Sequence, residues 1–285
     1  MKKFSLISTI YNEGNNIISF LESYKKQTKK ADEYIIVDGG STDNTVALIT
    51  KFIEDNPELN IKLIVDKSCS KKFTKGPIAK GRNIAIENSN YEYIIGTDAG
   101  CILPPNWLEE IIKPLEDDSV DVVSGWCEGI KDNEFQKFFA TYCMPTIENV
   151  NRKEYLPSSR NIAFKKSCWE KVGKYPEKTY TAEDTMYDFK LKEAGFKFVF
   201  NENAVVYWDL PQNINEAYKK LHDYGYGDGQ YMIAKERYFL RFLCLILPIK
   251  FYKLLFSNPK NFVFKYICIF ANVKGYVSGL FNRVN

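Results

Sequence analysis

The residues of this 285-residue chain best suited to chemistry are four carboxylates. Asp38 follows the apolar run "EYIIV" and precedes Gly39 and Gly40, Asp98 follows "YEYIIGT", and Glu183 and Asp184 stand side by side where a helix is predicted to begin. A carboxylate can accept a hydrogen bond from a base or sugar, hold a divalent cation against a diphosphate, or take the proton of an attacking hydroxyl. Sugar transfer from a nucleotide needs all three, with Mg2+ or Mn2+ offsetting the leaving group's charge while the acceptor oxygen is activated on the other face of the sugar. The expected transition state is oxocarbenium-like, as in glycoside hydrolysis. Structural readings stand beside these. Asp38 and Asp43 also suit a turn that caps the following helix, and Glu183 and Asp184 suit the positive end of a helix.

Short apolar runs alternate with helical patterns over residues 3–100. "FSLISTI", "EYIIVD", "IKLIVD" and "YEYIIGTD" read as strands, and Ile17, Phe20, Leu21 and Tyr24 are spaced as one face of a helix. Val46, Ile49 and Ile53 predict a face of a second helix, and a third is expected over 78–87. Such alternation predicts an α/β fold, a sheet covered by helices on both faces, with ligands beyond the carboxyl ends of the strands. Asp38, Asp66 and Asp98 all stand at such ends. Beyond residue 104, "PPNWLEEIIKPLED" predicts a helix, "VDVVSGW", "RNIAFKK" and "FKFVFNENAVVYWD" predict strands, and helices are expected over 167–172 and 183–194, while 127–156 shows no period. The expected organisation is a donor-binding half over 1–100, an acceptor-binding and catalytic half of the same domain over 101–212, and a helical region over 213–285. "YGYGDGQ", residues 224–230, is too rich in glycine for a stable helix interior and is read as a mobile loop or a break between helices. Trp107, Trp126 and Trp169 are read as packing residues, and His222 as a surface helix residue.

Seven cysteines without a CxxC pair indicate neither a zinc ribbon nor a disulfide framework and suit a reducing compartment. One histidine excludes a multi-histidine metal site. The net charge of +3 hides an asymmetry: from Arg237 onward there are eight bases and no acid. These bases interrupt an aromatic, apolar tail whose uninterrupted stretches are too short to span a bilayer. Arg241 and Lys250 fall on opposite helix faces, as do Lys265 and Lys274, so the tail is not cleanly amphipathic. In-plane attachment of residues 237–285 to an anionic inner membrane surface is the preferred reading. A helical pair packed on the domain or on a second subunit is the alternative. No nucleic-acid partner is expected.

The segments "STIYNEGNNI", "IIVDGGSTDNT", "KGRNIAI", "GTDAGC", "RNIAFKK" and "AEDTMYDFKLKEAGFKF" stand in the order found in family 2 glycosyltransferases of the GT-A fold. The chain resembles that family from residue 4 to about 208. The resemblance implies a Rossmann-like mixed sheet and inverting transfer from a nucleotide sugar, with a UDP-sugar expected, to a polysaccharide, lipopolysaccharide or lipid-linked acceptor. It implies that Thr9, Tyr11 and Glu13 line the nucleoside pocket, that Asp38 binds the uracil imide, and that Arg82 lies beside the nucleotide. Gly40 is read as allowing a backbone turn or close approach of the ligand. Asp98 matches the first aspartate of the family's DxD metal motif, and Glu183 and Asp184 match its "ED" pair, with Asp184 as base. Arg160 is read either as a surface base or as a phosphate ligand, and Asn161 and Trp208 are placed with it on the acceptor side. In one departure the third DxD position is Gly100, which predicts weak or dispensable metal binding, with Asp209 a candidate replacement ligand. Two rivals are a GT-A binding or scaffold protein without turnover and a sugar-1-phosphate nucleotidyltransferase. The latter family opens with a glycine-rich, arginine-bearing loop where this chain has "YNEGNN".

Overall fold

The computed structural model describes residues 2–248 and 251–284, so the tail base Lys250 lies outside the described residues. Strands β1 (Phe4–Ile10), β2 (Glu33–Asp38), β3 (Ile61–Val65) and β4 (Tyr93–Thr97) are parallel and lie in the order β3-β2-β1-β4. Helices α1 (Ile17–Lys25), α2 (Thr45–Asp55) and α3 (Pro77–Glu87) connect them. β2 is buried along its whole length, as a strand covered on both faces must be. The predicted stripe of α1 is the buried one. On α2 the buried residues are Thr45, Ile49 and Phe52, while Val46 and Ile53 flank them half-buried. Phe52, larger than either, takes the centre of the face.

The sheet continues beyond β4 with β7, β6, β8 and β5 in that order. These strands are β5 (Cys101–Ile102), β6 (Val122–Gly129), β7 (Asn161–Lys165) and β8 (Phe198–Trp208). β7 runs antiparallel to both β4 and β6, and β5 runs antiparallel to β8, so an eight-stranded mixed sheet results. Its flanking helices include α4 (Trp107–Ile112), and α5 (Glu134–Cys143) follows β6 in sequence. Then come α6 (Lys166–Val172) and α7 (Glu183–Glu193). Trp107, Trp126 and Trp169 are all buried, as expected of packing residues. The predicted fold class, a mixed α/β sheet between helices, is the one observed.

Two compact units form, Met1–Glu128 with Val150–Asp209, and Gly129–Asn149 with Leu210–Asn285. Gly129–Asn149 thus leaves the unit that holds most of the expected 101–212 segment, and α5 is a helix inside the stretch read as without period, its Phe135, Phe138, Phe139 and Tyr142 spaced as one face. What starts α5 is local: Asn133 caps it and Gln136 reaches back, a reciprocal capping box.

The second unit also holds α8 (Ile214–Gln230), α9 (Lys235–Ile246), α10 (Tyr252–Ser257) and α11 (Pro259–Leu280). Here one expectation fails. The "YGYGDGQ" segment is neither a loop nor a break but the last two turns of α8. A methyl group on Gly225 or Gly229 would collide with the carbonyl oxygens of Asn272 and Tyr276, and one on Gly275 or Gly279 with those of His222 and Tyr226. Each helix therefore carries two glycines four residues apart that admit the other's backbone. Such close approach allows Cα–H···O contacts and dense packing, which offset the roughly 1 kcal/mol that each interior glycine costs a helix. Asn272 joins the seam through its Nδ2, which donates to the Leu221 carbonyl. Tyr238 stacks on Tyr276 with ring centroids 3.9 Å apart. Among the described residues no helix is long and apolar enough to cross a membrane.

The packing predicts opposite outcomes for two similar changes. Gly275→Ala should destabilise the protein by about 1–3 kcal/mol by overpacking, although alanine is the better helix former. Gly100→Ala, where an added methyl meets nothing within 4 Å, should stay within about 0.5 kcal/mol. Urea unfolding of the two variants measures both.

Candidate active site

The three strand-end aspartates have different fates. Asp38 is completely buried and its carboxylate is spent on its own turn. Oδ1 accepts from the backbone N–H groups of Gly40 and Ser41, each at 2.8 Å, and Oδ2 accepts from the Ser41 hydroxyl. Asp66 likewise accepts from the Ser68 N–H. Asp98 alone among them borders a cavity, of about 680 Å3, at the carboxyl ends of the parallel strands. Thr9, Tyr11, Glu13 and Gly40 border it too, as expected, whereas Asp38, expected to face the base, stands behind Gly39 and Gly40 as the residue that shapes them. Gly40 has a φ of +83°, a conformation natural to glycine, and a methyl there would lie 2.8 Å from Cγ of Lys67.

The segment "STDNT" does more than precede α2. Asn12 donates its backbone N–H to the Ser41 hydroxyl, Glu13 to Thr45 Oγ1 and Gly14 to Asp43 Oδ2, while Thr42 N–H donates to Asn12 Oδ1. The loops after β1 and β2 are laced into one rim. Asp43 is a fastener, its carboxyl held below the usual range mainly by the Thr45 hydroxyl. Glu13 is shifted the other way, upward by burial, with the Asn16 side chain opposing and Asp98 adding to the shift.

Arg82, from α3, organises the rest. Its Nη1 donates to Glu183 Oε1 at 2.8 Å and its Nη2 to Asp98 Oδ1 at 3.0 Å, so one guanidinium joins α3, the end of β4 and the start of α7. Gly81 lets α3 approach, since a methyl there would be 2.7 Å from Thr9 Cγ2. Burial opposes the charge on Arg82, but Asp98 and Glu183 outweigh it and raise the pKa. Burial, then the adjacent Asp184, push the Glu183 carboxyl up to about 7 against the pull of Arg82. Asp184 is half-buried, its Oδ1 accepting from the Thr185 N–H. Ala182 precedes the pair at a φ of +66°, a left-handed backbone that costs an alanine roughly 1 kcal/mol and turns the chain into α7.

On the far side of Asp98, Arg160 Nε lies 3.8 Å from Asp98 Oδ2, and its guanidinium lies over the Trp208 ring at 4.5 Å. Asn161 is not an acceptor contact. It is fully buried, its Nδ2 donating to the Trp126 and Ala204 carbonyls and its Oδ1 accepting from Trp107 Nε1, so its amide is occupied in the core. Asp209 is exposed at the end of β8. Among the described residues no three Asp, Glu, His or Cys side chains are grouped as metal ligands. With Gly100 bare and Asp98 engaged by Arg82, the described residues do not fit a protein-built cage of three or more such ligands for the divalent ion that the motif implies.

Several cavity-lining residues were not singled out from the sequence. Lys67, Lys71, Lys72 and Phe73 follow β3, and Tyr180 precedes α7. The available signal was the run "KSCSKKFTKG" after a strand-end aspartate. Tyr175, equally unmarked, is buried, stacks on Tyr187 at 3.9 Å and lies 5.7 Å from the Arg82 guanidinium.

A mixed sheet with a strand-end cavity, an arginine-tied aspartate and an acidic helix start is accompanied by a family match over residues 5–168, to Glycosyl transferase family 2. The chain belongs to that family. It is 26% identical to the glycosyltransferase AglE of Haloferax volcanii over 70% of this chain and 65% of that protein. It is also 26% identical to the O-antigen chain rhamnosyltransferase RfbN of Salmonella typhimurium, over 78% and 71%. The chain thus spans about two thirds of the length of these curated relatives. In fold it is similar to the mannosyltransferase PcManGT of Pyrobaculum calidifontis, solved with GDP-Man and Mn2+. That comparison has a TM-score of 0.73 and 17% identity, over 100% of this chain and 89% of that one. It is similar also to TarS of S. aureus solved with UDP, with a TM-score of 0.57 and 16% identity, over 99% and 92%.

One turn along α7 from Asp184 lies Asp188, 1% exposed, with no hydrogen-bond partner for either carboxyl oxygen. Burial, with Asp184 adding and Lys192 opposing, raises its pKa well above the usual range. A folded-state pKa above the unfolded value means that this group's stabilisation is complete below about pH 4 and is lost as the pH rises through the folded value. Asp188→Asn should therefore gain stability relative to wild type as pH rises from 4 to 8, by at most about 1.4 kcal/mol per pH unit. Chemical denaturation across that range measures the difference, and parallel curves would refute the assignment.

Proposed function

We propose that this protein transfers a sugar from a nucleoside diphosphate sugar, with UDP as the expected carrier, to a hydroxyl of a polysaccharide, lipopolysaccharide or lipid-linked acceptor, with inversion. The observation that carries the reading is the Arg82 bridge, which ties Asp98, on the cavity wall, to the Glu183-Asp184 helix start. In this reading the base and ribose enter between Thr9, Tyr11, Glu13 and Gly40, and the sugar extends toward Asp98. Asp184 takes the proton of the acceptor hydroxyl as its oxygen attacks the anomeric carbon, and the bond to the diphosphate breaks on the opposite face. Glu183, committed to Arg82, positions its neighbour and does not itself accept the proton. Arg160 and Trp208 form the side from which an acceptor approaches. Support comes from relatives described as O-antigen rhamnosyltransferases and as a poly(ribitol-phosphate) N-acetylglucosaminyltransferase.

The second unit suggests where the reaction takes place. Phe239, Ile246, Leu247, Phe256 and Phe281 are more than half exposed, and every charge in the chain from Arg237 onward is basic. Exposed aromatics among lysines and arginines suit peripheral attachment to an anionic bilayer surface on the cytoplasmic side. The same face is the expected one if the protein instead pairs with a second copy.

Nucleotide sugars with uracil, guanine, thymine and cytosine bases should separate in a thermal-shift panel, because a ligand of the native state raises the apparent melting temperature. Asp184→Asn should keep the shift while transfer falls by about 10²–10⁴-fold; a shift with no transfer by the wild type would favour the scaffold reading. In vesicle sedimentation, the protein should partition onto phosphatidylglycerol-containing vesicles, release as salt increases, and lose binding on Leu247→Glu with Phe256→Glu. Equal binding to purely zwitterionic vesicles, or none, would remove the membrane assignment.

A further inference from the structure

The cations around the cavity are unevenly committed. Arg82 is shared between two carboxylates, and Arg160 stands against the second oxygen of Asp98. Neither brings surplus positive charge to an incoming polyanion. A nucleoside diphosphate nevertheless arrives with several negative charges, and Glu13 and Asp98 already stand on the wall it must meet. Charges this close interact strongly where water is partly excluded, so the balance of charge on the wall bears directly on whether a diphosphate can bind. The usual remedy, a second carboxylate holding a divalent ion, is missing at Gly100.

The turn that follows β3 carries the missing charge. Lys67, Lys71 and Lys72 all border the cavity, and among the described residues none of the three is ion-paired to a carboxylate. Lys67 belongs to the single 3-10 turn Lys67–Cys69, which Asp66 closes, and its stem packs beside Gly40 on the rim. Lys71 Nζ rests 3.3 Å above the ring of Tyr180, itself a cavity residue close to Glu183 in sequence. Lys72 Nζ lies 5.3 Å from the ring of Phe73. A cation resting on an exposed aromatic face is held only weakly. A charge-assisted hydrogen bond to phosphate is stronger, so the lysines can exchange one for the other.

We propose that Lys67, Lys71 and Lys72 form the diphosphate subsite of the donor cavity, supplying from the protein the positive charge that the Asp98-Ala99-Gly100 motif cannot organise through a metal. The proposal rests on the donor-site reading above. It makes the turn after β3 a specificity element for the leaving group: the lysines hold the two phosphates, and as the bond to the sugar breaks they balance the charge left on the departing nucleoside diphosphate. It also gives Tyr180 a role, since Lys71 leaving its ring for phosphate frees the segment immediately before α7.

Calorimetric titration of UDP, GDP, dTDP and CDP, each against its own nucleoside, first with EDTA and then with Mn2+ or Mg2+ in its place, tests this on the full chain. The wild type should bind at least one diphosphate about tenfold or more tighter than its nucleoside, the contribution of one charge-assisted hydrogen bond. The Lys71→Ala/Lys72→Ala double variant should lose that ratio with nucleoside affinity unchanged, Lys67→Ala should lose part of it, and the double replacement by arginine should retain it. The salt dependence of diphosphate binding should flatten in the alanine double variant. All three lysines are exposed, so near-wild-type melting temperatures are expected. A diphosphate-to-nucleoside ratio that survives in the alanine double variant, or that appears only when Mn2+ or Mg2+ is added, overturns the lysine subsite and leaves the donor site standing. If neither nucleoside nor diphosphate binds under any condition, both readings fall.

Discussion

The Arg82 guanidinium is the constraint on which the site depends. A buried cation is tolerated only where anions and hydrogen bonds replace its water, and here a carboxylate from the end of β4 and another from the start of α7 do so. Each partner is in turn conditioned by the arginine. Without it, Glu183 would be a buried carboxylate beside Asp184 with only a backbone hydrogen bond to oppose the rise in its pKa. The planar fork matters as well as the charge, because two N–H groups pointing in fixed directions set the separation of Asp98 and Glu183 in a way that a single ammonium does not. Tyr175 and the left-handed Ala182 complete the support, one placing an aromatic ring near the guanidinium, the other setting the angle at which α7 begins.

This internal pairing has a corollary for the rest of the cavity. Charges that hold the protein together are unavailable to a ligand, and here the paired cation and the cavity-lining lysines occupy different elements. Arg82 sits on a helix inside the molecule and the lysines on an exposed turn. The rim between them is already ordered. Asp38 satisfies the N–H groups of its own turn, and the loops after β1 and β2 fasten each other, so the cavity wall is already formed and little backbone entropy would be lost on binding there.

The parallel strands and their helices were legible because each left a periodic trace, and Arg82, Asp98 and Glu183 stood out by motif, although their bonding to one another was not legible. The roles of the strand-end aspartates were not. Asp38, Asp66 and Asp98 have the same local context, and only the third dimension shows that two turn inward on their own backbone while one meets an arginine 16 residues earlier in the chain. Asn161 was misplaced for a related reason: it lies beside Arg160 in sequence, but Arg160 belongs to the turn before β7 while Asn161 opens the strand with its amide bonded in the core. The lysines after β3 looked like an ordinary solvated run, and the stripe of Phe135, Phe138, Phe139 and Tyr142 in α5, spaced as a helix face, was lost among aperiodic neighbours. Propensity was misleading for α8, where the absence of side chains on its glycines is what the packing uses.

That glycine seam also determines what the connection between its two helices has to do. The notches at Gly225 and Gly229 accept the backbone of α11, while those at Gly275 and Gly279 accept that of α8, so the pair mates in one alignment set from within. A shift by a single residue would bring side chains where only hydrogens fit. Register is thereby set within α8 and α11 themselves, and α9, whose Tyr238 stacks on Tyr276 and whose Arg241 Nη1 donates to Asn272 Oδ1, packs onto a joint whose alignment does not depend on it.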